Sequence, residues 1–422
     1  MSATKEIKQN LLVFHTAYNY KTILKFGLEI FITSRNASKV FDKVITINPV
    51  SDLQNYISDE GLDFRPRAFN LDETNLVIEG FSKRYAVLNN WPKLNFILAQ
   101  FSLFRFILKG DFLRGVKIVR GEDPRFNGLY AFVLSRMLRT PLIIGVWGNP
   151  KRLRKLNQVP IMPRVFPSIR LEELVERIIL RRADAVLAQN QENLNYALEA
   201  RVNPEKTHLT QLGLGIDSTH FLPKELRKNV REDFEAWGAI GTKNLICISR
   251  LEALKMVDHA IKATKTLKDA GLDFKLILVG DGREIENLRM LAINEGLAGE
   301  IIFAGNRSQD WIAGALNFID INVAPLCGRS LLEASLGGLP AVSYDVDWHN
   351  EIVFSGTTGF LVANLDFRAM GTAILELCKN DNLRKQMATT MLEKALELAS
   401  PEKIAQRQKN IYQNLIFGSK KL

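Results

Sequence analysis

Two doubly wound α/β domains, each built on a parallel sheet, are the architecture this sequence predicts. Three observations predict it. Short apolar runs alternate with longer segments of helical period along the chain, the pattern of strand–helix–strand crossovers. The length of 422 residues exceeds one ordinary domain and suits two. A hydrophobic fraction of 46% with 24% charged residues fills two cores and keeps the composition that of a globular protein, with no disordered or collagen-like bias.

In the first half, 11–15 reads as a strand and 16–21 as a polar turn. Apolar residues at Ile23, Phe26, Ile30 and Phe31 predict a helix, and 44–47 a second strand. The stretch 52–92 has no clean period. From 91 to 113 the chain reads as one helix, rich in Phe, Leu and Ile. Then come a strand at 116–119, a loop at 120–125, a helix at 128–139 and a strand at 142–146. The helix at 169–182 ends on Arg181 and Arg182, as its dipole favours. A strand at 185–188, a helix at 191–200 and a strand at 207–212 follow, with a turn at 213–217 and a linker at 221–223. In open α/β sheets ligands bind at loops that follow parallel strands. That rule makes Arg120, Glu122, Asp123, Trp147 and Asn149 candidates to line a cleft, and His15 ends the first strand.

The second half has cleaner punctuation. Strands are expected at 245–249, 274–279, 301–304, 319–324 and 341–344, with an edge strand at 359–362. Helices are expected between them at 257–270, 284–295, 311–318 and 330–336, and three more at 367–378, 382–398 and 401–414. The centre of this half is 325–351. There a Gly-Arg-Ser turn opens a helix, with Ser330 expected as its N-cap, and Gly337-Gly338 closes it. A helix N-terminus at the carboxyl edge of a parallel sheet suits a phosphate. Glu333, one turn in, suits sugar hydroxyls instead, since a carboxylate repels phosphate. Phosphate beside ribose points to a nucleotide.

The formal charge of +10 favours acidic partners, yet no nucleic-acid motif accompanies it. Three dispersed cysteines, Cys247, Cys327 and Cys378, lack metal-ligand spacing and suit a reducing compartment. No signal peptide or membrane-spanning run is evident, so a cytoplasmic protein is expected. The apolar 94–108 and the basic 151–155 suggest peripheral contact with an anionic membrane at its inner face.

Motifs in the second half appear in a characteristic order: SRLEALK at 249–255, LVGDG at 278–282, FAG at 303–305, LEA at 332–334 with GLP at 338–340, EIV at 351–353 and TGFLV at 358–362. In this order and spacing the chain resembles the retaining glycosyltransferases of family 4, the group 1 type with the GT-B fold. Residues 183–221 resemble that family's domain-joining region, and the first 140 residues resemble it only in pattern. The resemblance implies an acceptor-binding domain over 1–222, a nucleotide-sugar-binding domain over 223–399 facing it across a cleft, and a C-terminal crossover helix over 400–422 that packs back on the first domain.

The implied activity is transfer of a sugar from a nucleoside-diphosphate sugar to a glycan or lipid-linked acceptor in polysaccharide assembly, with no metal or other cofactor. The implied catalytic residues are Arg250, Lys255 and Glu333. Donor contacts fall on Gly280, Asp281, Gly305, Asn306, Arg307, Gly328, Arg329, Ser330 and Leu331. One departure stands out: the family pairs Glu333 with an earlier glutamate near the donor sugar, and here that position is Pro325. A sugar-nucleotide epimerase or phosphorylase of the same architecture is one alternative, and the missing acid makes a non-catalytic binding subunit another. A nicotinamide dehydrogenase is the weakest, because Gly280-Asp-Gly282 lacks the fingerprint's third glycine.

Overall fold

The structure, a computed structural model, describes residues 8–36, 38–53, 64–210, 216–222 and 228–418. By compactness the chain divides into Met1–Gly215 with Glu402–Leu422, and Ile216–Pro401.

The first unit runs β1 (Asn10–Phe14), α1 (Tyr20–Phe26), α2 (Ile30–Thr33), β2 (Lys43–Asn48), β3 (Arg67–Asn70), β4 (Asn75–Glu79), α3 (Pro92–Lys109), β5 (Val116–Gly121), α4 (Phe126–Leu138), β6 (Leu142–Val146), α5 (Pro150–Asn157), α6 (Ile169–Arg182), β7 (Ala185–Ala188), α7 (Gln191–Glu199) and β8 (Thr207–Leu209). Its strands lie in the order β3-β4-β2-β1-β5-β6-β7-β8. All neighbours are parallel except β3, which runs antiparallel to β4 at the edge. The central strands are apolar runs because both faces are covered. The order reverses at β1, which has β2 on one side and β5 on the other.

The second unit runs α8 (Lys228–Ala236), β9 (Lys243–Ile248), α9 (Val257–Asp269), β10 (Phe274–Val279), α10 (Ile285–Asn294), β11 (Ile301–Gly305), α11 (Gln309–Ala315), β12 (Ile321–Ala324), α12 (Arg329–Leu336), β13 (Ala341–Tyr344), β14 (Gly359–Val362), α13 (Phe367–Lys379) and α14 (Asp381–Leu398). Its order is β11-β10-β9-β12-β13-β14, parallel throughout. The reversal falls between β9 and β12, so the crevice at their carboxyl ends is where such a sheet takes a ligand. The final helix, α15 (Pro401–Phe417), belongs to the first unit, where Tyr412 is buried against Phe41 and the sheet.

Several boundaries differ from the sequence expectation, each for a local reason. The helix expected through Phe31 is cut at Gly27, whose φ of 65 closes α1. The helix expected over 91–113 begins at Pro92 and stops at Gly110; 111–113 is a separate 3-10 turn. The helix expected at 311–318 likewise ends in a 3-10 turn over Leu316–Phe318. The unread stretch 52–92 holds β3 and β4, and β3 is a short, half-exposed edge strand with no apolar run to announce it. β5 continues through Arg120 and Gly121, so Arg120 lies in the sheet and not on a loop. Most of the turn expected at 213–217 and Pro223 of the linker fall outside the described residues.

Candidate active site

The loops after β9, β10 and β11 are stitched together by backbone contacts. Leu251 N–H donates to the Asp281 carbonyl at 2.9 Å, and Gly280 N–H to the Gly305 carbonyl at 2.9 Å. Gly280 sits at φ 137, and a Cβ there would stand 1.9 Å from the Ser249 carbonyl oxygen, so only glycine permits this approach. The LVGDG turn is thus a steric device that brings two strand ends together.

α12 joins the same crevice from β12. Ser330 does not cap it. The N-cap is Gly328, no side chain caps the first turn, and Ser330 Oγ instead donates to the Ile248 carbonyl at 2.7 Å. That bond seats the start of α12 on the end of β9 and leaves the first-turn N–H groups without a side-chain cap, an arrangement that favours an anion. His349 shapes the same turn. It is buried, and its Nε2 lies 3.0 Å from the Cys327 carbonyl and its Nδ1 3.2 Å from the Tyr344 carbonyl. Its Nδ1 contacts Ser343 Oγ at 2.5 Å. Cys327 is buried, and a hydrogen bond with Cys247, helped by the charge of Lys255, holds its thiol below the usual pKa against the opposing effect of burial. Lys255 ends the 3-10 turn Ala253–Lys255 that follows β9. Arg250 is exposed two residues beyond β9.

Glu333 is buried, and its Oε1 accepts a 2.7 Å bond from Arg329 Nε. The guanidinium is 23% exposed while the carboxylate is 4% exposed, so the pair bridges core and solvent. Asp281 is exposed, and its carboxylate takes the Gly282 N–H at 2.7 Å. Gly305 (φ 70) and exposed Asn306 follow β11. Arg307 Nε donates back to the Ala304 carbonyl of β11 at 2.9 Å. Its Nη1 is 3.2 Å from Asp233, and the guanidinium stacks over Trp311. Leu331 is fully buried, which leaves it only a backbone contribution. Among the described residues no group of three or more His, Cys, Asp or Glu side chains is arranged to hold a metal.

In the first unit the acceptor-side candidates separate. Glu122 is the hub of a buried cluster. It accepts from Arg35 Nε at 3.1 Å, from Arg120 Nη2 at 3.2 Å and from the Trp147 indole at 2.6 Å. Arg120 also donates to Tyr412 at 2.9 Å, and Tyr412 to the Arg35 carbonyl at 3.2 Å. Arg120, Glu122 and Trp147 thus spend their polar atoms inside the unit, which corrects their reading as loop residues that line a cleft. Asn149 caps α5 and bonds Glu192 at 2.8 Å. Asp123 accepts from the Arg125 N–H at 2.7 Å and from Asn127.

His15 differs from all of these. It is buried beside Phe31, and neither ring nitrogen has a hydrogen-bond partner among the described residues. Burial, with repulsion from Arg35, holds its pKa well below the usual 6.5. The unfolded chain takes up a proton near pH 6.5 and the native chain does not, so stability falls as pH drops below that value. Below it, this one group is expected to cost about 1.4 kcal/mol per pH unit, and His15→Gln should show a flatter acid limb in urea titrations.

Residues 229–392 match the model of a family described as glycosyl transferases group 1. Relatives by sequence include alpha-D-kanosaminyltransferase of Streptomyces kanamyceticus, 26% identical over 61% of this chain and 67% of its own. N-acetyl-alpha-D-glucosaminyl L-malate synthase of Bacillus anthracis is 26% identical over 58% of this chain and 63% of its own. The match thus spans about two thirds of these relatives' lengths. Among solved structures, Anabaena HepE in complex with UDP and glucose superposes with a TM-score of 0.73 at 16% identity, covering 96% of this chain and all (100%) of that one. Sucrose-phosphate synthase from Thermosynechococcus elongatus superposes at 0.75 and 16%, covering 98% of this chain and 100% of that one. At such identities the likeness is one of fold, and the fold is GT-B.

Proposed function

We propose that this chain is a retaining glycosyltransferase of the family 4 kind. It takes a sugar from a nucleoside-diphosphate sugar and places it on a glycan or lipid-linked acceptor in polysaccharide or cell-surface glycan assembly, at the cytoplasmic face of the membrane. The observation that carries the reading is the convergence of the β9, β10 and β11 loops with the start of α12 at the switch point of the second sheet. Residues 223–399 form the donor domain in this reading, residues 1–222 the acceptor domain, and residues 400–422 the crossover helix.

The bond between the sugar anomeric carbon and the β-phosphate oxygen breaks as the acceptor hydroxyl attacks the same face. The hydroxyl proton passes to the departing phosphate, so no strong general base is required. Charge grows on the diphosphate, and Arg250, Lys255 and the first-turn N–H groups of α12 neutralise it, which lowers the barrier. Arg329 adds a second guanidinium near the phosphates. Glu333 takes the ribose hydroxyls, and backbone at Gly305 and Asn306 holds the base. The diphosphate needs no metal when this many donors surround it. In the first unit, His15 and Asp123 orient the acceptor.

A titration panel of nucleoside diphosphates, UDP first, tests the donor site. Wild type is expected to bind at least one of them, and Glu333→Ala and Arg250→Ala to weaken it about tenfold or more, as the loss of a charged hydrogen bond predicts. Equal affinity across the three proteins removes the site. Binding without transfer to any of a broad set of acceptors favours a non-catalytic subunit, the outcome that proline at position 325 would explain.

A further inference from the structure

Helix α3 is apolar on two opposite faces, and only one of them is covered. Phe96, Ala99, Leu103 and Ile107 form the buried face. On the opposite arc Leu94, Ile97, Phe101 and Leu108 stand in solvent, Ile97 at 62% and Phe101 at 65% exposed. Their spacings of three, four and seven residues keep them in one stripe. At about 1.5 Å per residue the stripe is about 21 Å long. The chain leading into α3 extends it with Tyr85, Val87 and Trp91, exposed at 47%, 88% and 67%. A contiguous exposed apolar strip of this kind marks an interaction surface.

Charge identifies the occupant. Every charged residue of α3 is a cation: Lys93, Arg105 and Lys109, all exposed. Lys83, Arg84 and Arg114 flank them, and the single acid between 83 and 114 is Asp111. A second copy of the chain seated here would set these cations against their own images, a repulsive juxtaposition. Anionic headgroups neutralise them, while the apolar stripe enters the acyl boundary and Trp91 and Tyr85 sit at headgroup level. Among the described residues no helix is long and apolar enough to cross a membrane, so the contact is in-plane.

The basic stretch 151–155, expected from the sequence to share this contact, is largely engaged elsewhere. Arg154 is buried on Glu172 at 2.9 Å and Glu176 at 2.7 Å, and Lys151 pairs with Glu199.

We infer that α3 with the segment from Tyr85 is an in-plane binding surface for an anionic lipid bilayer. This surface is independent of the sugar-transfer reading. The full chain is tested by co-sedimentation with phosphatidylcholine vesicles and with vesicles also containing phosphatidylglycerol. Strong partition onto the anionic vesicles, weakened by salt, is expected. The Ile97→Ser/Phe101→Ser double variant and Arg105→Glu should each lose at least tenfold, with unchanged urea midpoints because these side chains are exposed. In wild type, brominated lipid should quench a Trp signal that Trp91→Phe removes.

Equal partition of wild type and the double variant overturns the proposal. So does a concentration-dependent dimer that the double variant abolishes while vesicle binding stays absent, which would assign the face to a second copy.

Discussion

Lys255→Ala should lower kcat about a hundred- to a thousandfold, the usual cost of deleting one donor aimed at a developing oxyanion. Lys255 ends the 3-10 turn that follows β9, and its charge adds to the Cys247 hydrogen bond in lowering the pKa of the buried Cys327 thiol. Charge neutralisation is worth most where the phosphate leaves, so the loss should appear in kcat more than in KM. Arg250 is exposed at the same strand end and should show a smaller effect of the same sign, because water screens its charge. Steady-state kinetics with the donor identified by the binding panel supply the measurement. An unchanged kcat in Lys255→Ala would sink the assignment of the leaving-group site. Glu333 requires a different control: Arg329 holds its carboxylate, so Glu333→Ala also frees a guanidinium beside the phosphates. Glu333→Gln, which keeps a hydrogen-bonding side chain, separates ribose binding from that release.

Glu122→Ala should destabilise the protein by about 3–5 kcal/mol, the cost of leaving buried charge without its partner. Arg35 and Arg120 are both buried, and Glu122 is the carboxylate they share. Burial already depresses the Arg35 pKa to about 10, with Glu122 as the main opposing influence and Arg120 adding repulsion. Without Glu122 the two guanidiniums face each other, and the Trp147 indole loses its acceptor. Urea denaturation at neutral pH measures the effect. If Glu122 acted chiefly on an acceptor, the variant would lose activity with its stability intact. Tyr412→Phe, which deletes one hydroxyl from the same cluster, should cost about 1–3 kcal/mol and loosen α15 from the first unit.

The donor crevice was legible from the chain because its parts are local. Apolar runs mark β9, β10 and β12, glycines mark the turns where strand ends approach, and an acid one turn into α12 marks a group that suits hydroxyls. What the chain did not reveal depends on partners far away in sequence. Ser330 looked like a cap, but the nearest acceptor is a carbonyl on β9. Arg307 looked like a donor contact, but the Ala304 carbonyl, Asp233 and Trp311 engage its guanidinium. Arg120, Glu122 and Trp147 looked like loop polars, yet they bond one another, and Arg120 reaches Tyr412 on the last helix.

Local chemistry by itself determined the two parallel α/β sheets, the turn glycines and the placement of Arg250, Lys255 and Glu333 near strand or helix ends, since period and steric need are written in neighbouring residues. Tertiary structure alone decided which polar side chains remain available for a ligand and which are consumed by the fold. A side chain's hydrogen bonds go to whatever acceptor folding brings within about 3 Å, and spacing along the chain carries no record of that distance.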